Sequence, residues 1–247
     1  MERRHLAECG STNTEALNHL REGGGPLILS ASRQTAGRGR LGRAWVTDIE
    51  VDDASLTFSV AVTLPAELDL SGLSLAVGCT VADVLDPGGS RIRLKWPNDL
   101  FLDGAKLGGI LIETTPLAAD RRGVVIGIGL NLQPLPPDAD RSALAHMFTS
   151  GHAALQTLDP TATAAATLDR LAPALRALLA DFETLGFGPW QAAFTRRDLA
   201  AGRPVRVGEQ AGVARGVSTR GELLLDTPTG IALMSGGELS LRLEMSP

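Results

Sequence analysis

The sequence predicts a domain of interleaved helices and strands reaching to about residue 199, followed by a small β-barrel. Three observations predict it. Before residue 199, stretches with apolar residues three and four apart alternate with stretches of period two. Asp103-Gly104, set between two apolar runs, marks a two-residue hairpin turn. From Arg203 onward, short strand-like runs follow one another at Gly-rich turns with no helical period. The boundary falls near Ala200, which gives expected domains of residues 1–199 and 200–247.

Taken in order, Cys9-Gly10-Ser11-Thr12-Asn13-Thr14-Glu15 leads into a helix. Thr12-x-x-Glu15 is a capping box, in which the hydroxyl takes an orphan N–H and the glutamate reaches back. Ala16, Leu17 and Leu20 form the buried stripe, and Gly23-Gly24-Gly25 ends it. Ser11-Thr12-Asn13 has two readings: capping alone, or a ligand gripped where hydroxyls, an amide and free N–H groups converge.

Residues 27–32 read as a buried strand delivering an unusual loop. Residues 33–45 hold four arginines and three glycines and close on Trp45. Arginine is almost never buried unless paired, and glycine weakens any element it interrupts, so an exposed, mobile loop is expected. One reading is a solvated basic linker. The other is a grip on phosphate or carboxylate by guanidinium forks. Gly37-x-Gly39-x-x-Gly42 matches the dinucleotide fingerprint literally. That fingerprint needs a helix starting at the loop. The acidic residues 46–53 carry no helical period, so the match is rejected.

Leu56, Phe58, Val60 and Val62 alternate with Ser55, Thr57, Ser59 and Ala61, a period-two strand. A helix over residues 71–85 presents Leu73, Val77, Val81 and Val84, and Asp86-Pro87-Gly88-Gly89 stops it. Residues 91–96 alternate again, and Pro97-Asn98-Asp99 turns the chain into the hairpin of residues 100–107. Its second strand continues through Gly108-Gly109 to Glu113. Glycines inside a strand mark close approach of a ligand or of another backbone. Lys106 beside them points into a ligand space or is a surface lysine at a bulge.

Residues 124–131 form a strand apolar on both faces that ends on Asn131. A Pro/Asp loop over 133–140 and a short helix over 141–151 follow. Asp159-Pro160 caps a longer helix striped by Leu168, Leu171, Leu175, Leu178 and Phe182, which Pro173 kinks or splits. Residues 189–197 make a last helix with Trp190 and Phe194 facing in. Five short strands then fill 205–243.

Composition narrows the function. At 44% hydrophobic the chain builds a proper core, and its net charge of −5 is not the basic balance of a dedicated nucleic-acid binder. Cys9 and Cys79 suggest no disulfide framework, and Cys79 packs as a small hydrophobe. The N-terminus lacks the apolar core of a signal peptide, and no apolar run approaches the ~20 residues of a membrane span. A soluble cytoplasmic protein is expected, with neither membrane nor nucleic acid as partner.

The candidate polar groups are Ser11, Thr12, Asn13, Gln34, Arg38, Arg40, Lys95, Asn98, Asp99, Lys106 and Asn131. They offer cations and amides. His5, His19, His146 and His152 are scattered, so no metal site is expected. There is no Gly-x-Ser-x-Gly elbow and no Walker loop. Such a site suits chemistry by positioning and charge neutralisation. Activation of a carboxylate by a nucleotide is one such reaction, because two anions must meet.

Five motifs now stand in order: Ser11-Thr12-Asn13, Gln34-Thr35-Ala36-Gly37-Arg38-Gly39-Arg40-x-Gly42-Arg43-x-Trp45, Lys95-Trp96-Pro97-Asn98-Asp99, Lys106-Leu107-Gly108-Gly109-Ile110-Leu111-Ile112-Glu113 and Gly127-Ile128-Gly129-Leu130-Asn131. Together they resemble the motif set of biotin protein ligases, and the β-rich tail resembles that family's C-terminal SH3-like domain. The resemblance implies a mixed-sheet α/β catalytic domain related in fold to class II aminoacyl-tRNA synthetases. It implies ATP-dependent activation of biotin as biotinyl-5′-AMP, with Mg²⁺ arriving on the nucleotide. Transfer then goes to a lysine of the biotin carboxyl carrier protein domain of a carboxylase.

By the same resemblance Ser11, Thr12 and Gln34 hydrogen-bond the biotin ureido head, with Asn13, Gly108 and Gly109 also at the biotin site. Arg38, Gly39 and Arg40 close over the ligand and grip carboxylate and phosphate. Lys106 bridges the biotin carboxylate and the α-phosphate. Lys106 and Arg38 are thus the catalytic pair. Trp45 stacks near adenine or covers the closed loop, Asn131 reads the adenine edge, and Asn98 and Asp99 line the nucleotide end. Gly108 stands where relatives often carry alanine, Leu41 where they carry a basic or polar residue, and residues 48–53 are unusually acidic. A chain opening almost at Ser11 is expected to lack the DNA-binding domain of some relatives and to act as a monomer or homodimer. The rivals are a lipoate or octanoate transferase or ligase, a non-catalytic nucleotide sensor, and a nucleic-acid binder.

Overall fold

In the computed structural model, residues 1–45, 54–118, 120–134, 151–237 and 239–241 are described. The chain runs β1 (Glu2–Cys9), α1 (Thr12–Arg21), β2 (Leu27–Gln34), β3 (Ser55–Pro65), α2 (Leu73–Leu85), β4 (Ile92–Lys95), β5 (Asp99–Leu102), β6 (Ala105–Pro116) and β7 (Arg121–Asn131). It continues through α3 (Ala164–Leu185), α4 (Gln191–Arg197), β8 (Pro204–Val207), β9 (Gln210–Val217), β10 (Leu223–Thr227), β11 (Gly230–Met234) and β12 (Leu239–Leu241).

A seven-stranded sheet has the order β1-β2-β3-β7-β6-β5-β4. It is mixed: β1 lies parallel to β2, while β2–β3, β3–β7 and β6–β7 are antiparallel. Strand β1 was not expected from the sequence. It sits at an edge, where its charged, exposed residues need only one neighbour.

The registers set rows across the sheet that position everything else. Ala61, Val125 and Glu113 form one row, Ser59, Gly127 and Leu111 the next, and Thr57, Gly129 and Gly109 the third. Side chains alternate between faces along a strand, so these rows share one face. At the first row, Ala61 and Val125 pack with Ala16, Leu17 and Leu20 of α1. At the next two rows the β3 and β7 positions give way to serine, threonine and glycine.

Helix α1 ends as expected, in a Schellman arrangement. Gly23 is left-handed at φ 84°, its N–H bonds Leu20 O, and the Gly24 N–H bonds His19 O. The hairpin turn is also as expected, with Asp103 at φ 50° and Gly104 at φ 85°. Two caps differ. Ser11, not Thr12, precedes the first helix and makes no side-chain cap, so the capping box does not form. Before α3, Asp159 bonds Thr161 in a local turn, while Thr163 Oγ1 accepts from the Ala166 N–H. Helix α3 runs unbroken through Pro173. The readings for residues 46–53 and 135–150, including the acidic stretch, most of the Pro/Asp loop and the short helix, lie outside the described residues.

Packing divides the chain into two units: residues 1–68 with 101–173, and residues 69–100 with 174–247. In the second unit Arg197 is buried, its guanidinium bonded to Asp86 Oδ2 at 3.3 Å, Asp86 O at 2.7 Å and Asp83 Oδ1 at 3.0 Å. Burial pushes the Asp86 carboxyl up, but the backbone N–H groups of Ile92 and Arg91, with Arg197, hold it below its ordinary value. Cys79 is fully buried, and burial with nearby Asp83 pushes its thiol up to about 12. The same unit holds a five-stranded antiparallel sheet of order β11-β10-β9-β8-β12. Among the described residues, Val205, Val207, Ala214, Val217, Leu223, Leu225 and Leu239 are its buried side chains.

Candidate active site

The site begins where α1 starts. Ser11, Thr12 and Asn13 are all buried. The Thr12 N–H, which a capping box would have taken, donates instead to Gln34 Oε1 at the end of β2, at 2.7 Å. The Thr12 hydroxyl donates to the same oxygen at 3.1 Å. A partner 22 residues away thus replaces the local cap.

Ser59 extends the chain of contacts. Its hydroxyl donates to Asn13 Oδ1 at 2.6 Å and lies 2.8 Å from the Thr12 hydroxyl. The simple alternation of β3 would put Ser59 and Thr57 in water; both are buried. Thr57 is satisfied by Ala31 O at 3.0 Å. From Asn13 the amide donates to Leu111 O at 3.3 Å and to Glu113 Oε2 at 2.8 Å. Glu113 in turn accepts from Arg38 Nη2 at 3.0 and 3.1 Å. One hydrogen-bonded path therefore joins Gln34, Thr12, Ser59, Asn13, Glu113 and Arg38.

The arginine–glycine loop is exposed as expected, but it closes on itself. Gly39 N–H bonds Arg43 O at 2.7 Å, Arg43 N–H bonds Arg40 O at 3.2 Å, and Trp45 N–H bonds Gly37 O at 2.9 Å. Leu41 stands at its tip with φ 55° and is exposed. Glycines of β7 make room beneath. A Cβ on Gly127 would strike the Asn13 amide, and one on Gly129 would strike the Trp45 indole. The indole Nε1 is buried with no acceptor among the described residues.

Lys106 is the second residue of β6, next to residues 151–153. Its N–H bonds Gly151 O at 3.4 Å and its carbonyl accepts from Ala153 N–H at 2.9 Å, which pairs Lys106 with His152. Burial lowers the His152 imidazole below its ordinary value. Asn131 Nδ2 donates to Lys106 O and Ala153 O, each at 3.2 Å, so its amide fastens the segment that carries Lys106. The alternatives for the paired glycines resolve by face. Gly109 lies in the row of Gly129, whereas a Cβ on Gly108 would meet the Gly129 carbonyl and Leu130. At Gly108 another backbone is the close neighbour.

Asn98 and Asp99 belong to the second unit, with Lys95. The Asn98 N–H closes a turn on Lys95 O at 3.2 Å, and Asp99 begins β5. Among the described residues no group of three or more His, Cys, Asp or Glu side chains is placed to hold a metal ion. The polar residues that sequence reasoning missed are Ser59, and Glu113 as anything beyond the end of a motif. The strand register was the signal that would have found both, since it sets them one row apart on the α1 face.

Three kinds of comparison bear on this geometry. The model of the Biotin/lipoate A/B protein ligase family matches residues 9–131. The bifunctional ligase/repressor BirA of Salmonella typhimurium is 37% identical over 96% of this chain and 73% of its own length. The biotin–[acetyl-CoA-carboxylase] ligase of Paracoccus denitrificans is 33% identical over 95% of this chain and 98% of its own. Among solved structures, the biotin protein ligase of Aquifex aeolicus in complex with biotin and ATP superposes with a TM-score of 0.78 at 27% identity, covering 98% of both chains.

Proposed function

The chain belongs to the biotin/lipoate A/B protein ligase family, and from that premise we propose how its residues carry out ATP-dependent biotinylation. It is a ligase that joins biotin to a carboxylase. In the first step the biotin carboxylate attacks the α-phosphorus of ATP. A P–O bond forms to the carboxylate, the bond to pyrophosphate breaks, and biotinyl-5′-AMP results. In the second, a lysine amine of the carrier domain attacks the acyl carbon. The C–N bond forms, AMP leaves, and the amine loses a proton.

The observation that carries this reading is the hydrogen-bonded path from Gln34 to Arg38. Its inner end is neutral and buried, an array of hydroxyls and amides. Its outer end is a guanidinium. Biotin has the same polarity: a neutral ureido head and an anionic tail. Ser11, Thr12, Asn13 and Gln34 hold the head, and Gly109 leaves room on the sheet face. Arg38, Arg40 and Lys106 neutralise carboxylate and phosphate where the two anions meet, with Gly39 in the loop that closes over them. Trp45, over Gly129, covers the nucleotide with Asn131 at that end; Asn98 and Asp99 are nucleotide residues by their motif alone. Mg²⁺ travels with the ATP phosphates. The carrier is the biotin carboxyl carrier protein domain, the setting is the cytoplasm, and residues 1–199 carry the chemistry, while residues 200–247 supply the small sheet that shares a packing unit with residues 69–100. No helix among the described residues is long and apolar enough to cross a membrane.

The test is to mix the protein with Mg·ATP and biotin, with lipoate and octanoate in parallel, and identify adenylates by mass spectrometry. Biotinyl-AMP alone is expected, because buried hydrogen-bonding groups reject an acyl chain that leaves them unpaired. A lipoyl or octanoyl adduct in place of biotinyl-AMP overturns the substrate assignment.

A further inference from the structure

We propose that Glu113 is a positioning residue of this site: its carboxylate stations the Arg38 guanidinium and ties it, through Asn13, to the end of the site that holds the substrate's neutral head. The proposal rests on the biotin-ligase reading for what Arg38 grips. The geometry is independent of it. Glu113 has two partners of different kinds. On the inner side the buried Asn13 amide fixes Oε2 at 2.8 Å. On the outer side both carboxylate oxygens meet a single nitrogen of Arg38, Nη2. Arginine presents donors on Nε and Nη1 as well, and among the described residues these have no partner. Glu113 therefore holds the guanidinium by one corner and leaves its other donors for an arriving anion.

The ladder of β6 and β7 does not need this carboxylate, since the pairing of Glu113 with Val125 is made by backbone alone. The pair is also partly solvated, with Arg38 42% and Glu113 28% exposed. Such pairs contribute little to stability. A glutamate beside an anion-binding arginine has a cost of its own: without Arg38 its charge faces the substrate's carboxylate and phosphate and repels them. The two residues must then be coupled in catalysis in a way that a structural role does not predict.

The experiment is a double-mutant cycle on biotinyl-AMP formation, read as pyrophosphate release in single turnover. Glu113→Gln keeps an oxygen for the Asn13 amide and removes the charge. It is expected to lower the rate of adenylate formation about tenfold while the melting temperature holds. Arg38→Ala is expected to lower it about a hundredfold. The double variant R38A/E113Q is expected to be several-fold faster than R38A, because the orphaned negative charge is gone. Rates in which the double variant equals the product of the two singles overturn the proposal, as does wild-type kinetics in folded E113Q. Should E113Q fail to fold, Glu113→Asp keeps the charge and draws it back from Arg38 by one methylene. A loss of similar size is then expected, and unchanged kinetics overturn the proposal. A wild-type protein that releases no pyrophosphate with biotin and ATP refutes the ligase reading instead; an active wild type with an indifferent Glu113 refutes only this inference.

Discussion

The indole of Trp45 occupies the space that a side chain on Gly129 would need. A residue of the arginine–glycine loop is thereby seated on the central strand β7, which pairs with both β3 and β6. Loop position and sheet surface are matched at one point, and a single methyl group tests the match.

Gly129→Ala is expected to displace the ring. Overpacking of this kind costs about 1–3 kcal/mol. The Trp45 emission, isolated by comparison with Trp45→Phe, should shift to longer wavelength as the indole leaves its seat, and ATP-dependent adenylate formation should fall. An unchanged spectrum would show that the loop has no fixed seat on β7.

Lys106→Ala removes the cation assigned to the meeting point of carboxylate and α-phosphate. Removing one group that stabilises transition-state charge lowers a rate by about 10²–10³-fold. Single-turnover pyrophosphate release measures it. Biotin binding without ATP should change far less, and wild-type rates would remove Lys106 from its role.

The loop's internal hydrogen bonds leave Arg38, Leu41, Gly42 and Arg43 exposed and Arg40 half-buried. Trypsin is expected to cut there in the free protein and to spare the loop when biotin and ATP are both bound, read by the masses of the fragments. Arg38→Ala should release biotinyl-AMP into solution faster than wild type. Equal cleavage with and without ligands would count against closure over the substrate.

Asp198 is buried in the second unit, with Oδ1 accepting the Ala200 N–H at 2.8 Å and Oδ2 buried without a partner among the described residues. Burial pushes its carboxyl up to about 6, against the Ala200 hydrogen bond and Arg203. Because the folded value lies above the unfolded one, the folded state binds the proton more tightly. The stability this contributes is present below about pH 4 and is lost as pH rises through about 6. The window is worth up to about 3 kcal/mol. Melting temperature against pH should show this slope in the wild type, and Asp198→Asn should flatten it. Parallel slopes in the two proteins would rule Asp198 out as its source.

Much of the fold was legible because its signals are local. Asp103-Gly104 announces its own turn, since both residues take positive φ. The five strands of the small sheet stand between their turns much as the alternation suggests. What stayed hidden depends on partners remote in sequence. Strand β1 reads as a polar run, because an edge strand gives no buried face to detect. The capping box at Thr12 had the right residues, but Gln34 takes the N–H. At the site, the loop and the lysine strand could be picked out by composition, since arginines among glycines fit no core. Ser59 and Glu113 could not, because a serine in an alternating strand looks like solvent face until α1 is laid across it.

The packing units interleave along the chain: the first resumes at Phe101 after the second has begun at Asp69, and the second resumes at Ala174. Growing from the ribosome, the protein holds α2 and β4 in reserve for more than seventy residues before the rest of their unit emerges. A functional division at 199/200 is consequently no place to cut. A fragment ending there deprives residues 69–100 of the small sheet with which they form one unit, including the Gly221 carbonyl that receives the Trp96 indole N–H at 3.0 Å. Shortening this protein to its chemistry would unmake part of the body that presents Asn98 and Asp99.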